Sequence, residues 1–144
     1  MSLPVTILLA EDNPGDVYLV RRALERHGFA DVDLVVVDDG QAALRYIERV
    51  DGDDALLAPE LALLDLNLPR ATGNRILTRI RDSRRCAQIP IIIVTSSDSP
   101  IDRAAAAELG ATSYFQKPGD LAGFMQLGRV VRDALATTNA ATAS

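Results

Sequence analysis

The chain has 144 residues, 48% hydrophobic and 24% charged, which fits one folded domain and excludes a disordered chain. Its net charge of -5 leaves no electrostatic footprint for nucleic acid, and no apolar run approaches membrane-spanning length. The amino terminus, M-S-L-P-V-T, shows no secretory signal, so a cytoplasmic protein is expected, and the single cysteine, Cys86, makes neither an internal disulfide nor, with His27, a zinc set.

Val5 to Ala10 reads as a buried first strand and runs straight into Glu11, Asp12 and Asn13. Pro14 suits the first turn of a helix whose apolar stripe is Val17, Val20 and Leu24, ended by Gly28. Asp33 to Val37 gives a second strand, followed by a helix from Gln41 to about Arg49 with Ala43, Leu44 and Ile47 inward. The acidic segment from Val50 to Pro59 lacks the distal glutamate of a calcium loop and reads as a solvated connection.

Leu61 to Pro69, L-A-L-L-D-L-N-L-P, is apolar on both faces, the mark of a central parallel strand, and it ends on Asp65. Thr72-Gly73 opens a helix with Ile76, Leu77 and Ile80 on one side; Arg79, Arg81, Arg84 and Arg85 near its end are read as dipole compensation and solubility. Ile91 to Val94 is a fourth strand delivering Thr95, and Ser99-Pro100 caps an alanine-rich helix closed by Gly110. Ser113 to Gln116 is a short fifth strand ending at Lys117-Pro118. A last helix from Asp120 to about Ala136 completes a domain spanning residues 1–136, with 137–144 as a frayed tail.

Five strands alternating with five helices indicate an α/β fold, a doubly wound five-stranded parallel sheet of order 2-1-3-4-5. In that order the strand ends bring Glu11, Asp12, Asp65, Thr95 and Lys117 to one rim. Three crowded carboxylates repel one another unless a cation intervenes, and magnesium suits a site of few carboxylates and room for water. With a lysine and a hydroxyl beside them, the set matches a phosphoryl group, and an aspartate can itself be the nucleophile.

Here the chain resembles the receiver domains of two-component response regulators. The matching pieces are L-L-A-E-D-N, L-L-D-L-N-L-P followed by Gly73, V-T-S-S, and Y-F-Q-K-P, in order over Val5 to about Leu135. The resemblance implies that Asp65 is phosphorylated by the histidine of a sensor kinase, on a CheY-like fold. It implies Mg2+ bound through Asp12 and Asp65 with the Asn67 backbone carbonyl, and Glu11 holding a metal-bound water. Lys117 then contacts the phosphoryl oxygens through a loop whose Lys117–Pro118 bond is expected to be cis. Thr95 and Tyr114 match the family's two switch positions. Within the family, E-D-N-P-G-D-V-Y-L-V-R-R-A-L and D-G-Q-A-A-L-R-Y-I resemble small single-domain regulators paired with bacterial phytochromes. Asn74 and Arg75 depart from the acidic residue many receivers carry after the glycine, and Gly119 from a bulky apolar one.

On the last helix, Leu121, Phe124, Met125, Gly128, Val131 and Leu135 form a sheet-facing stripe. Gly123, Leu127, Val130 and Ala134 form a second uncharged stripe, which fits either a homodimer through this helix and the fifth strand, with Leu127 and Val130 at its interface, or small and partly covered aliphatic residues that need no partner. Four rival readings are weaker, the first being a non-phosphorylated scaffold, against which the complete acidic set argues. A phosphatase with an aspartate nucleophile needs a second acid two residues on, where Asn67 stands. A nucleotide-binding protein needs a G-x-x-x-x-G-K-[ST] loop, which is absent. A flavodoxin would have its flavin phosphate repelled by Glu11 and Asp12. The chain is therefore expected to signal and not to turn over a substrate, its output passing through a surface to another protein.

Overall fold

The computed structural model describes residues 4–143. Five parallel strands form one sheet in the order β2-β1-β3-β4-β5: β1 Thr6–Ala10, β2 Asp33–Val37, β3 Leu61–Leu64, β4 Ile91–Thr95 and β5 Ser113–Gln116. The helices between them are α1 Pro14–Arg26, α2 Gly40–Gly52, α3 Gly73–Arg81 and α4 Pro100–Glu108. The expected fifth helix is present but interrupted: α5 Leu121–Met125 and α6 Leu127–Ala143 are separated at Gln126. α6 thus continues past Ala136, through most of the segment expected to be a frayed tail.

Alternation along each central strand builds two cores. Leu8, Ala10, Leu64, Ile91 and Ile93 point to the side covered by α2 and α3. Ile7, Leu9, Leu63, Ile92 and Val94 point to the side covered by α1, α5 and α6. Because both faces are covered, β1, β3 and β4 are buried at every position. Cys86, unassigned from sequence, is a small residue of the first core.

Helices α1 to α5 each start where the sequence offers a cap. Asn13, Asp39, Thr72, Ser99 and Asp120 accept from first-turn amides, with proline following Asn13 and Ser99. At Gly40 and Gly128 a neighbouring backbone takes the space a side chain would fill. A Cβ on Gly40 would lie 2.2 Å from the Ala71 carbonyl oxygen, and one on Gly128 would lie 2.2 Å from that of Ala23. The first seats α2 under the loop after β3, and the second lets α6 cross α1 closely.

That crossing removes Leu127 from the expected interface. Leu127 is 0% exposed and belongs to the core between α1 and α6, while Leu121, expected to face the sheet, is exposed. The projection assumed one uninterrupted helix, but the irregularity at Gln126 resets the phase, and the contact at Gly128 rolls Leu127 inward with Phe124 and Val131. Val130 is only half-buried against the same core. Leu127 therefore lines no surface.

The arginines at and just beyond the end of α3 are structural staples, not solubilising decoration. Arg81 donates to the carbonyls of Gly110, Ala87 and Ile89. Arg85 donates to those of Val50, Asp53 and Leu56. Asp51, 15% exposed at its side chain, accepts from the Ser83 hydroxyl at 2.7 Å, the Arg85 amide at 3.1 Å and Arg79 at 3.2 Å. Burial alone would raise its pKa, but these donors together hold it below the ordinary 3.8. A depressed carboxylate stabilises the fold above its ordinary pKa, and that contribution is lost as pH falls through the depressed value. Asp51→Ala is therefore expected to cost about 2 kcal/mol at pH 7. Urea unfolding checks this: the gap from wild type should shrink as pH drops below 3.8.

Candidate phosphorylation site

The strand ends are extended into one rim by ladder bonds beyond the strands. The Glu11 amide donates to Val37 O, that of Asp65 to Ala10 O, and that of Lys117 to Thr95 O, at 3.0, 3.0 and 2.7 Å. These bonds fix the three charged residues relative to the sheet before any side chain is considered. Below the rim, Gly73 lets the start of α3 approach: its amide donates to Leu66 O at 3.2 Å, and a Cβ there would meet the Asp65 carbonyl oxygen at 2.3 Å.

Lys117 is the centre of the site. Its ammonium lies 2.6 Å from Glu11 Oε1, 2.8 Å from Asp16 Oδ2 and 3.0 Å from Asp65 Oδ2. The other oxygen of Asp65 accepts from the Asn67 amide at 3.1 Å, and Glu11 Oε2 accepts from the Asn13 amide at 3.1 Å. The Glu11, Lys117 and Asp65 side chains are 2%, 10% and 9% exposed. Burial raises the Glu11 carboxyl above its usual range, against the lowering pull of Lys117 and of the Asn13 amide. Burial would lower the Lys117 ammonium, yet hydrogen bonds to Asp16, Glu11 and Asp65 outweigh it and hold the group well above the ordinary 10.5. The two upward directions are compatible: three carboxylates serve one ammonium, whereas each carboxylate receives only part of one positive charge.

Asp12 is exposed on the same rim. One carboxylate oxygen each from Glu11, Asp12 and Asp65 lies within 4.8 Å of the others. An all-oxygen acidic cluster with one face open to water fits a hard divalent cation. Asn67 is exposed in the turn that follows Asp65.

Thr95 is fully buried at the end of β4 and accepts from the Ser97 amide at 3.4 Å. Tyr114 does not touch the carboxylates. Its hydroxyl donates to the Ser97 carbonyl at 3.0 Å, and the Arg103 guanidinium lies 4.4 Å from its ring centroid. Ser97 thus joins both expected switch residues through one loop. Its hydroxyl also donates to Asp102 in the first turn of α4. The Lys117–Pro118 bond, expected to be cis, is trans; no described residue follows a cis peptide bond. Asp16 was missed from sequence. No helix among the described residues is long and apolar enough to cross a membrane.

Comparison with known proteins agrees with this geometry. Residues 7–127 match the response regulator receiver domain family. The probable methanogenesis regulatory protein FilR2 of Methanothrix harundinacea is 38% identical over 130 residues, covering 90% of this chain and 81% of that protein. Response regulator Rcp1 of Synechocystis is 33% identical over 118 residues, covering 82% and 80%. The crystal structure of the phosphorylated cyanobacterial phytochrome response regulator RcpA superposes with a TM-score of 0.80 at 29% identity, covering 94% of this chain and 96% of that one. The Mn(2+)-bound form of Rcp1 gives 0.77 at 30% identity, covering 89% and 91%. The general function of the family is phosphorylation-dependent signalling. A lysine-centred carboxylate cluster at the carboxyl edge of a 2-1-3-4-5 sheet, matched over most of the chain, has one meaning: the chain belongs to the response regulator receiver domain family.

Proposed function

We propose that Asp65 accepts a phosphoryl group from the phosphohistidine of a sensor kinase, and that the aspartyl phosphate switches a protein-interaction surface. The observation that carries this reading is the pairing of Asp65 Oδ2 with Lys117 inside the three-carboxylate cluster. An Asp65 carboxylate oxygen attacks phosphorus, and the bond from phosphorus to the donor nitrogen breaks. Glu11, Asp12 and Asp65, with the Asn67 carbonyl, would hold Mg2+. When bound, that ion neutralises phosphoryl charge and aligns the reacting oxygens. Lys117 exchanges its contact with Asp65 for a phosphoryl oxygen. The Thr95 hydroxyl donates to another, drawing on the loop through Ser97 to which Tyr114 is tied.

The partner kinase is proposed to be a bacterial phytochrome, because structures similar over 85% and 94% of this chain are phytochrome response regulators. The proposed location is the cytoplasm, where such kinases present their phosphohistidine. Self-association through β5 and the outer side of α6 is proposed with Val130 in place of Leu127. Val130 and Ala134 line a groove there with Ser113. Val130→Glu is expected to shift sedimentation from dimer to monomer, and an unchanged dimer would remove Val130 from the interface.

Intact mass after incubation with acetyl phosphate tests the central claim. Wild type is expected to gain one phosphoryl group only with Mg2+, and Asp65→Asn to gain none. An adduct that survives in Asp65→Asn would place the acceptor elsewhere. Sustained hydrolysis of unrelated phosphate esters would restore the phosphatase reading.

A further inference from the structure

Asp16 stands outside every role assigned so far, yet it holds the central cation of the site. It lies in the first turn of α1, where the Asn13 side chain caps its amide at 3.2 Å. Its Oδ2 reaches Lys117 Nζ at 2.8 Å, across the fold from β5. An ammonium has three N–H donors, and Glu11, Asp16 and Asp65 take all three. The three acceptors differ in what else they must do. Glu11 and Asp65 belong to the carboxylate group that fits a divalent ion, whereas Asp16 does not. Its side chain is 23% exposed against 2% and 9% for the other two, so it also needs the cation least for its own solvation.

We propose that Asp16 is a positioning residue for Lys117, anchoring its ammonium over Asp65 while the other two carboxylates are engaged elsewhere. The inference rests on Asp65 being the phosphoryl acceptor. During transfer from acetyl phosphate, an Asp65 oxygen bonds to phosphorus, the bond from phosphorus to the acetyl oxygen breaks, and acetate leaves. Over that step Lys117 passes one N–H from Asp65 to a phosphoryl oxygen. A second N–H fixed on α1 keeps the ammonium within reach, so the exchange is a pivot and not a search through rotamers. Lysine's long flexible stem makes such an anchor worthwhile.

The test is a cycle of Asp16→Ala, Lys117→Ala and the double variant, read as the phosphorylation rate with acetyl phosphate and Mg2+. Asp16→Ala is expected to lower the maximal rate about fivefold with little change in the half-saturating acetyl phosphate concentration. The same substitution in the Lys117→Ala background is expected to change nothing further. The isosteric Asp16→Asn, which keeps the packing, should lie between wild type and Asp16→Ala. Equal rates for wild type and Asp16→Ala, or additive losses in the double variant, overturn the proposal. A second readout needs no phosphorylation: the 15Nζ resonance of Lys117 in the folded wild-type protein at low temperature. It is expected to be sharp with and without Mg2+, and to broaden in Asp16→Asn once Mg2+ is added. Persistence of the sharp signal in that variant would equally overturn the role. An unphosphorylated wild type would instead sink the acceptor reading and leave the resonance to decide about Asp16.

Discussion

Lys117→Ala is expected to destabilise the metal-free protein by about 3 kcal/mol, and Mg2+ is expected to restore most of that loss. The substitution strips the shared cation from Glu11 and Asp65, which are 2% and 9% exposed at their side chains. Buried carboxylates without a counter-charge either stay ionised at a desolvation cost or bind a proton, and both weaken the fold. Against this stands the relief of not burying the ammonium, but that term is the smaller because three carboxylates face it. The sign with pH is set by Lys117 itself. A cation raised above its ordinary 10.5 contributes stability fully below that value and loses it only as pH climbs through the raised one. Measurement at neutral pH therefore captures the whole effect. The decisive comparison is urea unfolding of both proteins with EDTA and with saturating Mg2+. A variant as stable as wild type in EDTA would mean that the carboxylates satisfy one another without the lysine. A loss that Mg2+ does not reduce would mean that the acidic cluster is no cation site.

The residues that were legible in the sequence are those whose position follows from strand ends alone. Apolar runs at β1, β3 and β4 with helical segments between them dictate a parallel sheet, and a parallel sheet puts Glu11, Asp65, Thr95 and Lys117 on one rim. Asp16 was not legible for a physical reason. An acid in the first turn of a helix is explained by the helix dipole, and nothing local ties it to a lysine 101 positions away. Leu127 was misplaced because a helical wheel carries no information about a break at Gln126, and the phase after such a break depends on what the helix meets. It meets α1 at Gly128, a contact between distant segments. The arginines around the end of α3 were read as surface groups for the same reason: the carbonyls that Arg81 caps belong to Gly110, Ala87 and Ile89, outside its own helix.

Gly73→Ala shows how the same sheet edge ties stability to chemistry. Helix propensity favours the change, since alanine in place of glycine within a helix stabilises by up to about 1 kcal/mol. Space opposes it. The new Cβ would lie 2.3 Å from the Asp65 carbonyl oxygen and 2.9 Å from Leu66 Cα, both backbone atoms that cannot swing aside. Asp65 is held by the hydrogen bond its amide donates to Ala10 O, and its carboxylate by the one it accepts from the Asn67 amide, so relieving the clash means moving α3 or breaking that turn. Overpacking of this kind costs about 3 kcal/mol, which exceeds the propensity gain and leaves a net loss of about 2 kcal/mol. Because the displaced atom belongs to Asp65, phosphorylation and Mg2+ affinity are expected to fall together, and beyond what the lost stability alone produces. Gly119→Ala is the matched control. Nothing lies within 4 Å of a Cβ there and its φ is not positive, so stability should hold or rise by about 0.5 kcal/mol through a less flexible unfolded chain. Urea unfolding and Mg2+ titration of the two variants separate the causes. Equal stability would show that α3 can retreat from β3 freely. A destabilised Gly73→Ala with wild-type Mg2+ affinity would show that the loop after Asp65 yields without moving its carboxylate.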